Sequence, residues 1–432
     1  MKKNVMTIYT LSAMLALLFF CLSCASDNPS RERDKETTKL FKKQHVIRIA
    51  CVSSWKQNDS LQWEGVELAK DEINAAGGVD GAQIELLKMD DDLDEKKGLG
   101  VAYDIAMRPD ITAVIGHSTS GISLPASRVY QYYGLLMFSP MSTVRKLTAQ
   151  GLSLVFRNIP TSAEFGKSAV SLCKQKGWNR IIIYYLDTVY GEDLANAFDF
   201  SCSTEDVRVV DRASYTAFDE KHNFADMIKF WNANFEYDAI FLAGSMPQLK
   251  TVIESIRESG VTKPIIGSDS FEYPALEEWI VDHNVADIYA VTSYERNSSL
   301  ESYKKFEEAF LAKYEKKPDQ ESVQAYDALK AIADAIQTAH SVKNAQLATV
   351  LRRMVCNGVM GPYKFNARGD VMGKEMYVLD FNAVRAMARR EQKVELEDAR
   401  QKAYAAVQKQ AEKVFTERME SGEKEIEDEY VE

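Results

Sequence analysis

Histidine is scarce in this chain, at 5 of 432 residues, and the 6 cysteines follow no zinc-type spacing, so no metal centre is expected. Basic charge is also in deficit. Lys and Arg number 53 against 64 Asp and Glu, for a net charge of -11, and phosphate backbones need a basic surface, which excludes nucleic acid as a partner. Phosphate-cradling glycine loops are missing. No G-x-G-x-x-G follows the first strand pattern, and Gly166-Lys167-Ser168 has Thr161 where a P-loop needs its first glycine. The stretch Gly116-His117-Ser118-Thr119-Ser120 falls short of a nucleophile elbow, because Ser120 stands where the closing glycine belongs. Asp90, Asp92 and Asp94 begin like a calcium loop, but Glu95 and Val101 occupy the positions that need Gly and Glu. No enzyme chemistry and no cofactor are expected.

What is present is a globular chain, 46% apolar and 27% charged, long enough for two domains with their own cores. Met1-Lys2-Lys3 precedes an apolar run from Thr7 to Leu22 that closes on Ser23 and Cys24. A basic start followed by an apolar run of this length reads as an export signal, 1–24, and is short for a full membrane span. The polar segment 25–44 is expected to be a flexible tether. Cys51, Cys173, Cys202 and Cys356 remain within the fold, where Cys173 and Cys202 either bridge or stay as buried thiols.

From Val46 onward, strand-type runs alternate with helical spacings. Val46–Val52, Ile84–Met89, Ile111–Ile115 and Leu135–Phe138 form one series, and Ile181–Tyr185, Val207–Asp211, Ala239–Leu242 and Pro264–Ile266 a second. The alternation predicts α/β architecture: two doubly wound parallel-sheet lobes joined by a hinge, with a C-terminal helical extension. The expected division is 45–157 plus 292–355 for the N-terminal lobe, 158–291 plus 356–383 for the C-terminal lobe, and 384–432 for a charged helical tail. Hinge segments are expected at Phe156–Pro160, Val291–Tyr294 and Cys356–Gly358. The tail carries an apolar stripe at Leu396, Ala399, Ala403, Val407, Ala411 and Val414, fit either for docking on a neighbour or for holding a partner.

The chain is organised around Ala113–Thr143, a strand, a Gly/Ser/Thr turn, a helix, a second strand and a second small polar turn. Both turns emerge at the carboxyl edge of a parallel sheet, where open α/β proteins hold ligands. Ser118, Thr119, Ser120, Ser142 and Thr143 therefore gather at one rim beside helix-start N–H groups. They serve either to cap helices or to grip an anion such as a carboxylate.

Several ordered stretches resemble the leucine/isoleucine/valine-type family of periplasmic solute-binding proteins, type I receptors of ABC transporters. They are Glu72–Gly81 with Asp90-Asp91, Val114–His117 with Pro125-Ala126-Ser127, Ser139-Pro140 with Leu147-Thr148, Tyr190-Gly191, Ala325–Ala328, and Gly361-Pro362 with Phe365 and Gly369-Asp370. The resemblance covers roughly Val46 to Asn382. It implies that Ser120 and Thr143 receive a ligand's α-carboxylate, that Asp269 receives its α-ammonium and that Tyr190 closes over the site. Ser245 and Met141 mark departures that reshape the side-chain pocket, and Trp55 and Phe271 are candidate pocket walls. The resemblance further implies an amino acid or similar zwitterion as ligand and an ABC permease as partner, while the long helical tail after Ala383 favours the alternative of a sensory or docking partner. The Leu22-Ser23-Cys24 ending resembles a lipobox, implying a lipid anchor on Cys24 that holds the exported protein to the cell envelope.

Overall fold

The computed structural model describes residues 29–55 and 60–390, and beyond them residues 393, 398–403, 405, 406 and 409. The export signal and Cys24 lie outside the described residues, as do Leu396, Val407, Ala411 and Val414 of the tail stripe; Ala399 and Ala403 are exposed. Among the described residues no helix is long and apolar enough to cross a membrane.

The first lobe is built on five strands, β1 (Val46–Ser53), β2 (Gln83–Asp90), β3 (Ile111–Ile115), β4 (Leu136–Ser139) and β5 (Val155–Arg157), all parallel in the order β2-β1-β3-β4-β5. The second carries β6 (Arg180–Leu186), β7 (Arg208–Tyr215), β8 (Ala239–Ala243), β9 (Ile265–Gly267) and β10 (Ile288–Thr292), again parallel. Central strands such as β3 and β8 are buried along their whole length because helices cover both sheet faces, which explains their uninterrupted apolar sequence. In each lobe the chain winds outward in both directions from a switch point, between β1 and β3 in the first and between β6 and β8 in the second. Loops at such points diverge and leave a crevice.

The expected lobe boundary is corrected after residue 355. Three short strands, β11 (Cys356–Gly358), β12 (Gly361–Phe365) and β13 (Val371–Met372), form a small antiparallel sheet. Cys356, Tyr363 and Phe365 pack into the first-lobe core with Phe138 and Phe156. Only β14 (Tyr377–Asp380) joins the second lobe, antiparallel to β10. The third crossing between lobes thus lies between Met372 and Tyr377, not at Cys356–Gly358. There Lys374, buried and lowered in pKa by that burial, faces Asp327 at 3.4 Å. A further contact joins the lobes, since Arg145 binds Asp193 through its backbone N–H at 2.9 Å and its Nε at 3.0 Å.

The expected tether is corrected too. Residues Pro29–Gln44 form a helix docked on the first lobe. Almost nothing in this helix is apolar, so no hydrophobic stripe announces it; Arg33 holds it instead. Buried to 6% exposure, its guanidinium donates to the carbonyls of Tyr133 (3.0 Å), Arg108 (3.1 Å), Ile111 (3.0 Å) and Ala106. Ala106 ends the helix Glu95–Ala106, whose last carbonyls have no partner within the helix. Thr37 adds a bond to the Pro109 carbonyl at 2.7 Å. Hydrogen bonds to a charged group contribute about 1.5–3 kcal/mol each. Replacing Arg33 with Ala is expected to release the helix, and limited trypsin digestion read by mass spectrometry should then cut at Lys39, Lys42 or Lys43 with both lobes intact. Unchanged protection of these sites would contradict the assignment.

All four cysteines of the fold are buried free thiols, so Cys173 and Cys202 do not bridge.

Candidate functional site

A cavity of about 270 Å³ opens between the lobes at the carboxyl ends of their strands. From the first lobe come Ser118, Thr119, Ser120 and Gly121 after β3, and Met141 after β4. The second lobe supplies Tyr190 after β6, Ser245 after β8 and Asp269 after β9. Of the residues expected at the site, Ser118, Thr119, Ser120, Met141, Tyr190, Ser245 and Asp269 are thus brought together around one cavity.

The first loop lines the cavity with its hydroxyls, and its N-cap side chain makes no capping bond. Gly116 holds the turn with φ +143°, and a Cβ there would sit 2.4 Å from the Val52 carbonyl oxygen. The chain then enters the helix Ser120–Tyr132, whose N-cap Thr119 makes no side-chain capping bond. Ser118 Oγ is shielded from solvent without a hydrogen-bond partner. Ser120 is the first residue of the helix, where backbone N–H groups lack internal acceptors and favour an anion. Its Oγ accepts a hydrogen bond from Ser142 Oγ at 3.1 Å, so its own proton is left to donate.

Ser142 and Thr143 do not border the cavity. Ser142 stands behind Ser120 and orients it, and its N–H donates to Ser139 Oγ at 3.2 Å. Thr143 is fully buried; its carbonyl accepts from the Ser162 N–H (2.9 Å) and Oγ (3.1 Å), and its hydroxyl lies 3.4 Å from the same Oγ. The expectation that Thr143 meets the ligand through its side chain is corrected, because that hydroxyl is buried against Ser162, the first residue of helix Ser162–Lys176.

On the opposing wall, the strand β9 ends at Gly267, where a Cβ would lie 2.0 Å from the Phe271 ring. Glycine is needed there so that Phe271 can fold beneath the short 3-10 turn Asp269–Phe271 and hold Asp269 at the cavity. Phe271 is therefore fully buried in the second-lobe core and is not a pocket wall. Trp55 is not one either. Its indole N–H donates to the Met89 carbonyl at 2.6 Å, its ring meets Trp63 edge-on at 5.6 Å, and Lys88 lies against both rings. Tyr190 donates to Asp269 Oδ1 at 2.9 Å and lies 2.8 Å from Ser268 Oγ, which also bonds Oδ1 at 2.8 Å. Burial raises the Asp269 carboxyl above its ordinary range, and these hydroxyl bonds work against that rise.

Sequence reasoning missed the carboxylates that complete the wall, Glu272 and the pair Asp319 and Glu321. Asp319 caps the helix Gln320–Ala339, accepting from the Ser322 N–H at 2.7 Å and the Leu61 N–H at 2.9 Å. Pro318-Asp319 just ahead of a helical pattern is a start signal that could have marked it. His117 lies outside the cavity wall, buried between Asp91 (2.8 Å) and Tyr130 (3.0 Å). Among the described residues no group of three or more His, Cys, Asp or Glu is placed to hold a metal ion.

Residues 52–386 match the profile of a family described as periplasmic binding protein. The chain is 28% identical over 342 residues to the Leu/Ile/Val/Thr-binding protein of Salmonella typhimurium, across 78% of this chain and 92% of that one. A solved ABC transporter substrate-binding protein from Desulfitobacterium hafniense, in complex with Leu, is 33% identical with a TM-score of 0.69, over 77% of this chain and 96% of its own. A leucine-binding protein from Thermotoga maritima is 25% identical with a TM-score of 0.70, over 77% and 95% of the two chains.

Proposed function

The chain belongs to the periplasmic binding protein family, and from that premise we propose that it is an exported receptor that captures an amino acid between its lobes and passes it to an ABC permease. The observation that carries this reading is the polarity of the cleft. A hydroxyl free to donate stands at a helix start on one wall, Ser120, and a buried carboxylate, Asp269, stands on the other. A zwitterion satisfies both at once, α-carboxylate toward Ser120 and α-ammonium toward Asp269. Three or four charge-assisted bonds of about 1.5–3 kcal/mol each, with apolar contact from Met141, can supply the roughly 8 kcal/mol of a micromolar site after ordering costs. Because the two partners sit on different lobes, ligand favours the closed arrangement. No side chain of the wall is placed as an activated nucleophile, and the protein is proposed to bind without turnover.

A thermal-shift screen of the purified protein against the common amino acids is expected to return at least one ligand that raises Tm. An unshifted melt across the whole set would contradict the reading. The alternative, a sensory lipoprotein that reports ligand to a docking partner through the charged tail, rests on the sequence. Residues 381–390 are helical, and Arg385 ties them to the second lobe through the Val285 carbonyl at 3.1 Å. Lipid attachment at Cys24 belongs to the same proposal. Metabolic labelling with a fatty acid is expected to mark the wild type and to be lost in Cys24→Ser, and equal labelling of both would count against it.

A further inference from the structure

Among the described residues, four buried carboxylates border the cavity, Asp269, Glu272, Asp319 and Glu321, the exposed Glu95 also lines it, and no Lys, Arg or His does. A ligand with an uncharged side chain brings a single ammonium, which Asp269 takes. Asp319 is occupied by its two backbone N–H donors. Glu321 is buried and engaged by the Tyr273 hydroxyl, whose ionisation its charge opposes. Glu272 is different: only 5% of it is exposed, no donor meets either carboxylate oxygen in good hydrogen-bond geometry, and the Thr292 hydroxyl is the one group near enough to favour its charge by hydrogen bonding. A buried carboxylate without a partner is costly unless something supplies charge or a proton. Arg296 is the cation whose charge favours its ionised form, and Arg296 is engaged with Glu277.

We propose that the cleft selects an amino acid whose side chain ends in a cation, with the α-groups held at Ser120 and Asp269 and the side-chain cation received by Glu272 and Glu321. The inference rests on the amino-acid reading and names the substrate class for the same site. Apolar side chains would leave the Glu272 carboxylate desolvated and unpaired. A four- or five-atom chain ending in an ammonium or guanidinium brings the missing donors, and its methylene stem can lie along Met141 and Tyr273, which share the wall.

Burial lifts the Glu272 carboxyl to about 7; Arg296 and Thr292 oppose the rise, while Asp269 and Asp319 reinforce it. Tyr294 also faces this group and is itself held neutral by burial. Affinity for a cationic side chain is therefore expected to climb as pH rises through about 7, since only the ionised carboxylate attracts it.

The test compares L-lysine with L-norleucine, which has the same four-carbon side chain without the amine, by titration calorimetry on the wild-type protein. L-Leucine and the Glu272→Gln variant are run alongside. Lysine is expected to bind at least tenfold more tightly than norleucine, and the variant to lose most of that preference while still binding norleucine. Should the variant fold poorly, as its own melting curve would reveal, the wild-type comparison decides alone. Tighter binding of norleucine or leucine than of lysine would overturn the inference and leave the amino-acid reading standing. Binding of none of the common amino acids would overturn both.

Discussion

Replacing Asp269 with Ala is expected to abolish measurable amino-acid binding while both lobes remain folded. The substitution removes the acceptor for the α-ammonium and leaves that cation in a buried cleft without its counter-charge. Removing one partner of a buried charge pair costs about 3–5 kcal/mol, or roughly two to three and a half orders of magnitude in affinity. Ser120→Ala acts on the other end of the ligand, where it deletes a hydroxyl that Ser142 has turned toward the cavity. Its expected cost is about 1.5–3 kcal/mol, or tenfold to 150-fold. The fold should survive both changes, because Asp269 lies in a three-residue turn whose place is set by Phe271, and Ser120 caps nothing with its side chain. Titration calorimetry on the two variants checks this, and affinity within about threefold of wild type in both would remove the assignment.

Arg157→Met is expected to destabilise the first lobe severely. Arg157 ends β5 at the crossing between lobes, fully buried, and its guanidinium donates to Asp370 Oδ1 (2.9 Å), the Ser142 carbonyl (3.1 Å), the Val144 carbonyl (2.7 Å) and Thr148 Oγ1 (2.5 Å). The ion pair therefore fastens the loop that carries Met141 and Ser142 to the small β11–β13 sheet. Methionine fills much of the volume but takes the buried cation from Asp370, which keeps Thr148 and Asn366, and leaves two carbonyls without their donor, at a cost of about 3–5 kcal/mol, a fall in Tm on the order of 6–20 °C for lobes of this size. The sign of the pH dependence follows. Burial alone would raise the Asp370 carboxyl, but Arg157, Thr148 and Asn366 outweigh it and hold the group below its usual range. Its contribution is present above the ordinary carboxylate pKa and is lost as pH falls through the depressed value. The variant should lose this part of the acid-side fall in stability along with the stability itself. A Tm within 2 °C of wild type at neutral pH would contradict the assignment, by the same scaling.

The architecture was legible because its signals are periodic and local. Apolar runs at Ile111–Ile115 and Ala239–Leu242, each followed by a small polar turn and a helical spacing, mark strands buried on both faces and the rim loops that follow them. Those loops placed Ser118, Ser120, Tyr190 and Asp269 at one cleft, since strand order and carboxyl-edge loops leave few other arrangements. What stayed hidden depended on long-range partners. Cys356–Phe365 is extended in either assignment, and only its packing on Phe138 and Phe156 ties it to the first lobe. The helix Pro29–Gln44 has no apolar stripe to reveal it, because it is held mainly by polar groups, the Arg33 guanidinium and Thr37 on carbonyls, with Phe41 the one apolar side chain packed on the core. Trp55 and Phe271 adjoin rim loops in sequence but turn into cores, and the direction a side chain takes from a loop is not encoded in its neighbours. Glu272 was passed over for the same reason, since an acid between Phe271 and Tyr273 reads as surface until its burial is seen.

The most direct measurement is a crystal structure of the protein with L-lysine bound. A carboxylate oxygen within about 3.2 Å of Ser120 Oγ, with the α-ammonium equally close to the Asp269 carboxylate, is the predicted result. Ligand density held by one lobe alone, or with the α-ammonium turned away from Asp269, would contradict the two-walled capture of a zwitterion.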